Sequence, residues 1–72
     1  MAQSLLYRNC LVAAFVNCDE TTQLWTGTAD VSWGPHDNRS LKTISRKNTF
    51  VNGIDAEHFI IAAAKHWIDR GR

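Results

Sequence analysis

The sequence predicts an α+β domain in which a three-stranded antiparallel sheet packs on one C-terminal α-helix, in the order βββα. Three observations carry this. Leu24 to Trp33 alternates between apolar and polar residues, Leu11 to Val16 is a short unbroken apolar run, and beyond Asp55 the apolar period lengthens from two to about 3.6.

The first strand is expected from Leu6 to Val16, apolar on both sides and therefore central or tightly paired. Asn17 to Thr22, with Asn17, Asp19 and two threonines, has the chemistry of a turn. In the second strand, Trp25, Gly27, Ala29, Val31 and Trp33 fall on one side, and Thr26, Thr28, Asp30 and Ser32 on the other. Successive strand side chains point to opposite faces, so one face is packed and the other wet. Trp25 and Trp33 then share the packed face, with Trp33 beneath the helix, Trp25 nearer the sheet edge and Gly27 the place where a bulge would sit. Gly34-Pro35 ends this strand, because proline removes a ladder donor. Leu41 to Ser45 is the third strand, and Thr49-Phe50-Val51 extends the sheet briefly before Asn52-Gly53 turns the chain.

A helix follows from Ala56 to Arg70, with Asp55 as its N-cap, Glu57 near the positive end of its dipole and Gly71 closing it. At about 100° per residue, Phe59, Ala63, Ala56, Trp67, Ile60 and Ala64 form one arc, with His58, Lys65 and Asp69 opposite. Ile61 and Ile68 stand one heptad apart on the shoulder of that arc. They are either outer contacts to the sheet or a self-association surface of a weak homodimer.

Seventy-two residues make one domain spanning 1–72. A chain this short buries only about 60% of its unfolded surface, leaving a stability of roughly 3–5 kcal/mol. Eight basic and seven acidic residues leave a net charge of +1, so the total implies neither a polyanion nor an anionic membrane as partner. No apolar run approaches membrane length, and the opening Met1-Ala2-Gln3-Ser4 lacks a signal-like basic segment, so cytoplasm is the expected location. Cys10 and Cys18 match no zinc spacing and are expected as free thiols.

Catalytic chemistry has little to stand on. His58 and His66 lie two turns apart on the helix and about 80° around it, too far for one ion, and His36 sits in a polar turn beside Asp37. Neither cysteine nor Ser32 or Ser40 has a nucleophile motif around it, and no glycine-rich phosphate loop is present. The expectation is a protein that is not an enzyme and needs neither cofactor nor metal.

One charge cluster stands out. Arg39, Lys42, Arg46 and Lys47 fall within nine residues that contain no acid. Such bases either guard a solvated edge strand or form a phosphate-binding strip beside the wet face of the second strand.

The series Tyr7-Arg8-Asn9, Leu24-Trp25, Val31-Ser32-Trp33, Phe50 and Ala62-Ala63-Ala64-Lys65-His66-Trp67-Ile68-Asp69 resembles a loose group of small uncharacterised bacterial and prophage-encoded proteins. The resemblance covers nearly the whole chain and implies three strands with a C-terminal helix. It implies no activity. In topology alone the order is similar to the DNA-binding domains of plant ethylene-response factors and the arm-binding domains of tyrosine recombinases, which read DNA with the outer sheet face. Two functions follow as expectations. One is a non-enzymatic binding or regulatory module that contacts another protein or itself. The alternative is a nucleic-acid-binding domain using the outer sheet face and the basic third strand.

Overall fold

A four-stranded antiparallel meander carries a single helix on one face. The computed structural model describes residues 2–71, with strands β1 (Ala2–Tyr7), β2 (Cys10–Cys18), β3 (Trp25–Trp33) and β4 (Ser40–Ser45), and helix α1 (Gly53–Asp69). The strands lie in sequence order. The class is α+β as the sequence predicts, but the sheet has four strands rather than three. The expected first strand from Leu6 to Val16 is in fact a hairpin. Arg8 and Asn9 turn the chain with φ of 50° and 63°, and Tyr7 and Cys10 close the pair. Positive φ at both central residues is the two-residue geometry that matches strand twist, and it normally advertises itself with glycine. Here asparagine and arginine carry it.

The β2–β3 connection folds on itself. Asp19 N–H donates to the Leu24 carbonyl at 2.9 Å, and the Asp19 side chain accepts from Thr21 N–H at 2.8 Å. Beyond β4, Phe50 pairs with Trp25 through two backbone bonds of 2.7 and 2.9 Å, a one-residue extension of the sheet.

The N-cap of α1 is Asn52, not Asp55. Asn52 Oδ1 accepts from Asp55 N–H at 2.8 Å, and its Nδ2 donates to the Asp55 carboxylate at 3.2 Å. Asp55 thus falls in the first turn, where the dipole favours negative charge. At the other end Gly71 takes φ of 100° and donates to the Ile68 carbonyl, closing the helix as expected.

Helix and sheet meet at Gly27. A Cβ built there would lie 2.8 Å from both the Ala56 carbonyl oxygen and Ile60 Cβ. The position holds no bulge: pairing with Val16 runs through it without interruption. Small residues therefore fill the centre, with Ala14 and Ala29 paired across β2 and β3 and Ala56 and Ala64 facing them from α1. Ile60, Val12, Val31 and Cys10 are the largest fully buried side chains. No aromatic ring is among them, because a gap this narrow admits none. The rings close the two ends instead: Trp33 against Trp67 at 5.5 Å, and Phe50 against Phe59 at 5.1 Å. Trp25 and Trp33 do share the helix-side face, with Trp25 lying against Gly53.

The buried line of α1 is Ala56, Glu57, Ile60, Ala64 and Ile68, rotated by roughly 60° from the arc the periodicity predicts. Ile68 is thus core, and Ile61 is half-buried against the same cluster, as are Leu5 and Tyr7 of β1. The extra strand widens the sheet beneath this shoulder. Ile68 is accordingly part of the core rather than a self-association surface, and Ile61 is left only partly exposed. Cys10 and Cys18 stand at opposite ends of β2, about 27 Å apart at ~3.4 Å per residue, so they cannot bridge within one chain.

Two substitutions probe this packing in urea denaturation. Gly27→Ala is expected to cost about 1–3 kcal/mol by forcing helix from sheet. Ile60→Ala is expected to cost about 2–5 kcal/mol, enough to unfold much of the population. A Gly27→Ala midpoint equal to wild type would refute the close approach.

Candidate functional site

Three surfaces hold the chemistry that the fold leaves accessible. The first is the sheet face opposite α1. Directly paired residues of antiparallel strands share a face, so the register defines its rows. Leu6, Leu11, Ser32 and Leu41 form one row; Ser4, Ala13, Asp30 and Thr43 the next; Phe15, Thr28 and Ser45 the third. Leu6 and Leu41 are 73% and 66% exposed, and Leu11 and Phe15 each 43%. Asp30 is engaged by Thr43 Oγ1, which donates to it at 2.9 Å. A shallow depression of about 250 Å³ lies among Gln3, Ser4, Ala13 and Phe15. The face expected to be wet is thus polar along β3 but apolar along β2, because the Leu11–Val16 run sends Leu11, Ala13 and Phe15 outward.

The second surface is a clasp between the β1–β2 turn and the end of α1. Tyr7 Oη donates to the Asp69 carboxylate at 3.0 Å, and Arg8 Nε lies 2.8 Å from Asp69 Oδ1. The Arg8 and Lys65 cations also approach the Tyr7 ring, at 5.8 and 5.2 Å from its centroid. The Tyr7 side chain first, and the Asp69 charge second, raise the Arg8 pKa above its ordinary value. Arginine is protonated at any working pH, so this changes no charge. With Asp69 taken up by Tyr7 and Arg8, the clasp is structural.

The third surface is a cleft of about 280 Å³ lined by Arg46, His66, Trp67 and Arg70, at the flank of α1 that overhangs β4. The sequence cluster Arg39, Lys42, Arg46 and Lys47 does not come together as one strip. Lys42 pairs with the buried Val31 and so lies on the helix side, away from Thr26, Thr28, Asp30 and Ser32. Arg46 opens onto the cleft. Arg39 stays on the outer side, donating to Ser32 Oγ and the Gly34 carbonyl at 3.1 Å each. Lys47 is exposed in the connection that follows β4. Strand pairing puts Lys42 on the helix side, whereas Arg39, Arg46 and Lys47 lie outside β4 and diverge from it. His66 and Arg70, on the helix, escape notice because their neighbours across the cleft are some twenty residues away.

Among the described residues, no group of three or more His, Cys, Asp or Glu could hold a metal ion, and no helix is long and apolar enough to cross a membrane. Comparison with known proteins finds no matching family model, curated protein or solved structure.

The clasp sets a stability test. Tyr7→Phe is expected to cost about 0.5–1.5 kcal/mol by removing the hydrogen bond to Asp69. Arg8→Ala should cost less than about 1 kcal/mol, since its ion pair is exposed. Thermal melts at low and high salt check both: only the Arg8 contribution should fade as salt rises.

Proposed function

We propose that this chain is a small non-enzymatic binding module that pairs weakly with a second copy of itself through the outer sheet face. The observation that carries this is the exposed apolar set opposite the helix: Leu6 and Leu11 side by side on β1 and β2, Leu41 beyond Ser32 in the same row, and Phe15 beyond Ala13 along β2. Isolated exposed leucines need no explanation, whereas a contiguous set on one flat face marks a contact surface.

A second copy fits this face for two reasons. Its charged groups are Asp30 and Arg39, one of each sign, and each already bonds to a neighbour on the same chain. Two such faces meet without net repulsion, as the inner faces of a β-sandwich do. Area supplies the second reason. Four strands about 4.8 Å apart, with six paired residues of about 3.4 Å each, give roughly 400 Å² per copy. Doubling this approaches but does not reach the ~1,200 Å² of a stable interface, which makes the dimer reversible and concentration-dependent. The non-enzymatic reading rests on the sequence, in which neither cysteine nor Ser32 or Ser40 stands in a nucleophile motif.

Sedimentation equilibrium tests the pairing. The wild-type mass should rise with concentration from monomer towards dimer, and Leu11→Asp, a change at an exposed position, should remain monomeric with an unchanged fold by circular dichroism. A wild type that stays monomeric at every concentration, or a Leu11→Asp variant that dimerises normally, would contradict the proposal. The first result would leave a different protein as the occupant of this face.

A further inference from the structure

We propose that the cleft between β4 and α1 is a nucleotide-binding site, in which Arg46 and Arg70 hold a phosphate and the Trp67 ring receives the base. This does not rest on the pairing proposed above, since it uses the opposite side of the sheet.

Charge distribution supplies the first support. The chain as a whole is near neutral, yet Arg46, His66 and Arg70 line this cleft with no carboxylate among them. Lys42 adds a cation on the same side of β4, because it alternates with Ile44, which is buried on the helix side. The acid closest in sequence, Asp69, is drawn to the other flank of α1 by Tyr7 and Arg8. Among the described residues neither Arg46 nor Arg70 forms an ion pair; the bond Arg46 does make is to its neighbour's carbonyl, from Ser45 at 3.0 Å. Carbonyls at the end of α1 offset part of this positive charge, but Arg46 reaches the cleft from β4, outside that helix.

Shape supplies the second support. Bases that merely protect an edge strand point into solvent from that strand alone. Here Arg46, just beyond β4, and His66 and Arg70, at the end of α1, line one cleft together with the Trp67 ring. Trp67 is half-buried and fixed by its tilted contact with Trp33, so one side of the indole is held while the cleft opens on it. Guanidinium groups bind phosphate through paired N–H donors, and an aromatic ring stacks any base without regard to sequence. At about 280 Å³ the cleft sits at the small end of ligand pockets, matching one nucleotide rather than a dinucleotide or a duplex. Such a unit is presented both by a free mononucleotide and by a single strand.

Nitrogen–proton correlation spectra of the full chain test this at low salt, with inorganic phosphate, thymidylate and hexathymidylate as probes. The Trp67 indole N–H resonance is expected to shift saturably with the two nucleotides, and phosphate alone should bind more weakly. The Arg46→Glu/Arg70→Glu double variant, changed only at exposed positions, should lose roughly tenfold or more in affinity while keeping a dispersed spectrum. Trp67→Phe, which retains a ring beside Trp33, should weaken the nucleotides but not phosphate, and Arg39→Glu on the outer face should change nothing. Tighter binding of hexathymidylate assigns the site to single strands, and equal affinities assign it to free nucleotides. Absence of a saturable Trp67 shift with both nucleotides, affinity for phosphate equal to that for thymidylate, or full binding by the double variant would overturn the proposal.

Discussion

Everything in this domain depends on how closely the helix lies on the sheet at Gly27. With Ala56 and Ile60 resting where a side chain would otherwise stand, the central gap admits only alanine, valine and isoleucine-sized groups. The aromatic residues, which a thin core would be expected to place at its middle, are displaced to the two ends. There they form the Trp33–Trp67 and Phe50–Phe59 contacts. Close packing recovers in dispersion what the core lacks in size. Ion pairing adds little to this, since the one ion pair among the described residues is exposed.

That contact also decides which surfaces are left bare. The helix lies across β2 and β3, whose inward residues Ala14, Ala29 and Val31 it buries. Only Ile44 of β4 is buried beneath it, so the outer part of β4 and the flank of α1 face each other across an open cleft. Among the described residues no element crosses to the far side of the sheet, and Leu6, Leu11, Phe15 and Leu41 are exposed there. The two proposed binding surfaces are consequences of one docking geometry and lie on opposite sides of the sheet. A pair of chains joined through their outer faces would carry two clefts pointing away from each other. Two weak sites presented this way bind a flexible strand more tightly than either alone when its length spans them.

The sequence made the alternating strand and the helix legible because both carry a sustained period. It concealed β1 because the Arg8–Asn9 turn lacks the glycine that marks such hairpins, and Tyr7 to Cys10 reads as one continuous strand. Losing that strand had a further effect. With only three strands expected, Ile61 and Ile68 stay open as either outer contacts to the sheet or a self-association surface, whereas in the four-stranded sheet Ile68 is core and Leu5, Tyr7 and Ile61 pack against the same cluster. The helix face was misplaced for a different reason: large apolar residues dominate a periodicity argument, while close packing put Ala56, Ala64 and Ile60 at the centre and left Phe59 and Trp67 at the flank. The basic cluster was visible as composition, but its division between two faces needed the register of β4 against β3. His66, Trp67 and Arg70 had no local signal as a site, because Arg46 reaches them only through the tertiary fold.

Nuclear Overhauser contacts in solution test the docking geometry most directly. Docking at Gly27 should give strong cross-peaks from the Gly27 Hα protons to the Ile60 methyls, and from the Trp33 ring to the Trp67 ring. Leu11 and Phe15 should give none to any residue of the helix. Cross-peaks joining Leu11 or Phe15 to the helix within one chain, with Gly27 silent, would place the helix on the other face and contradict both the packing and the surfaces derived from it.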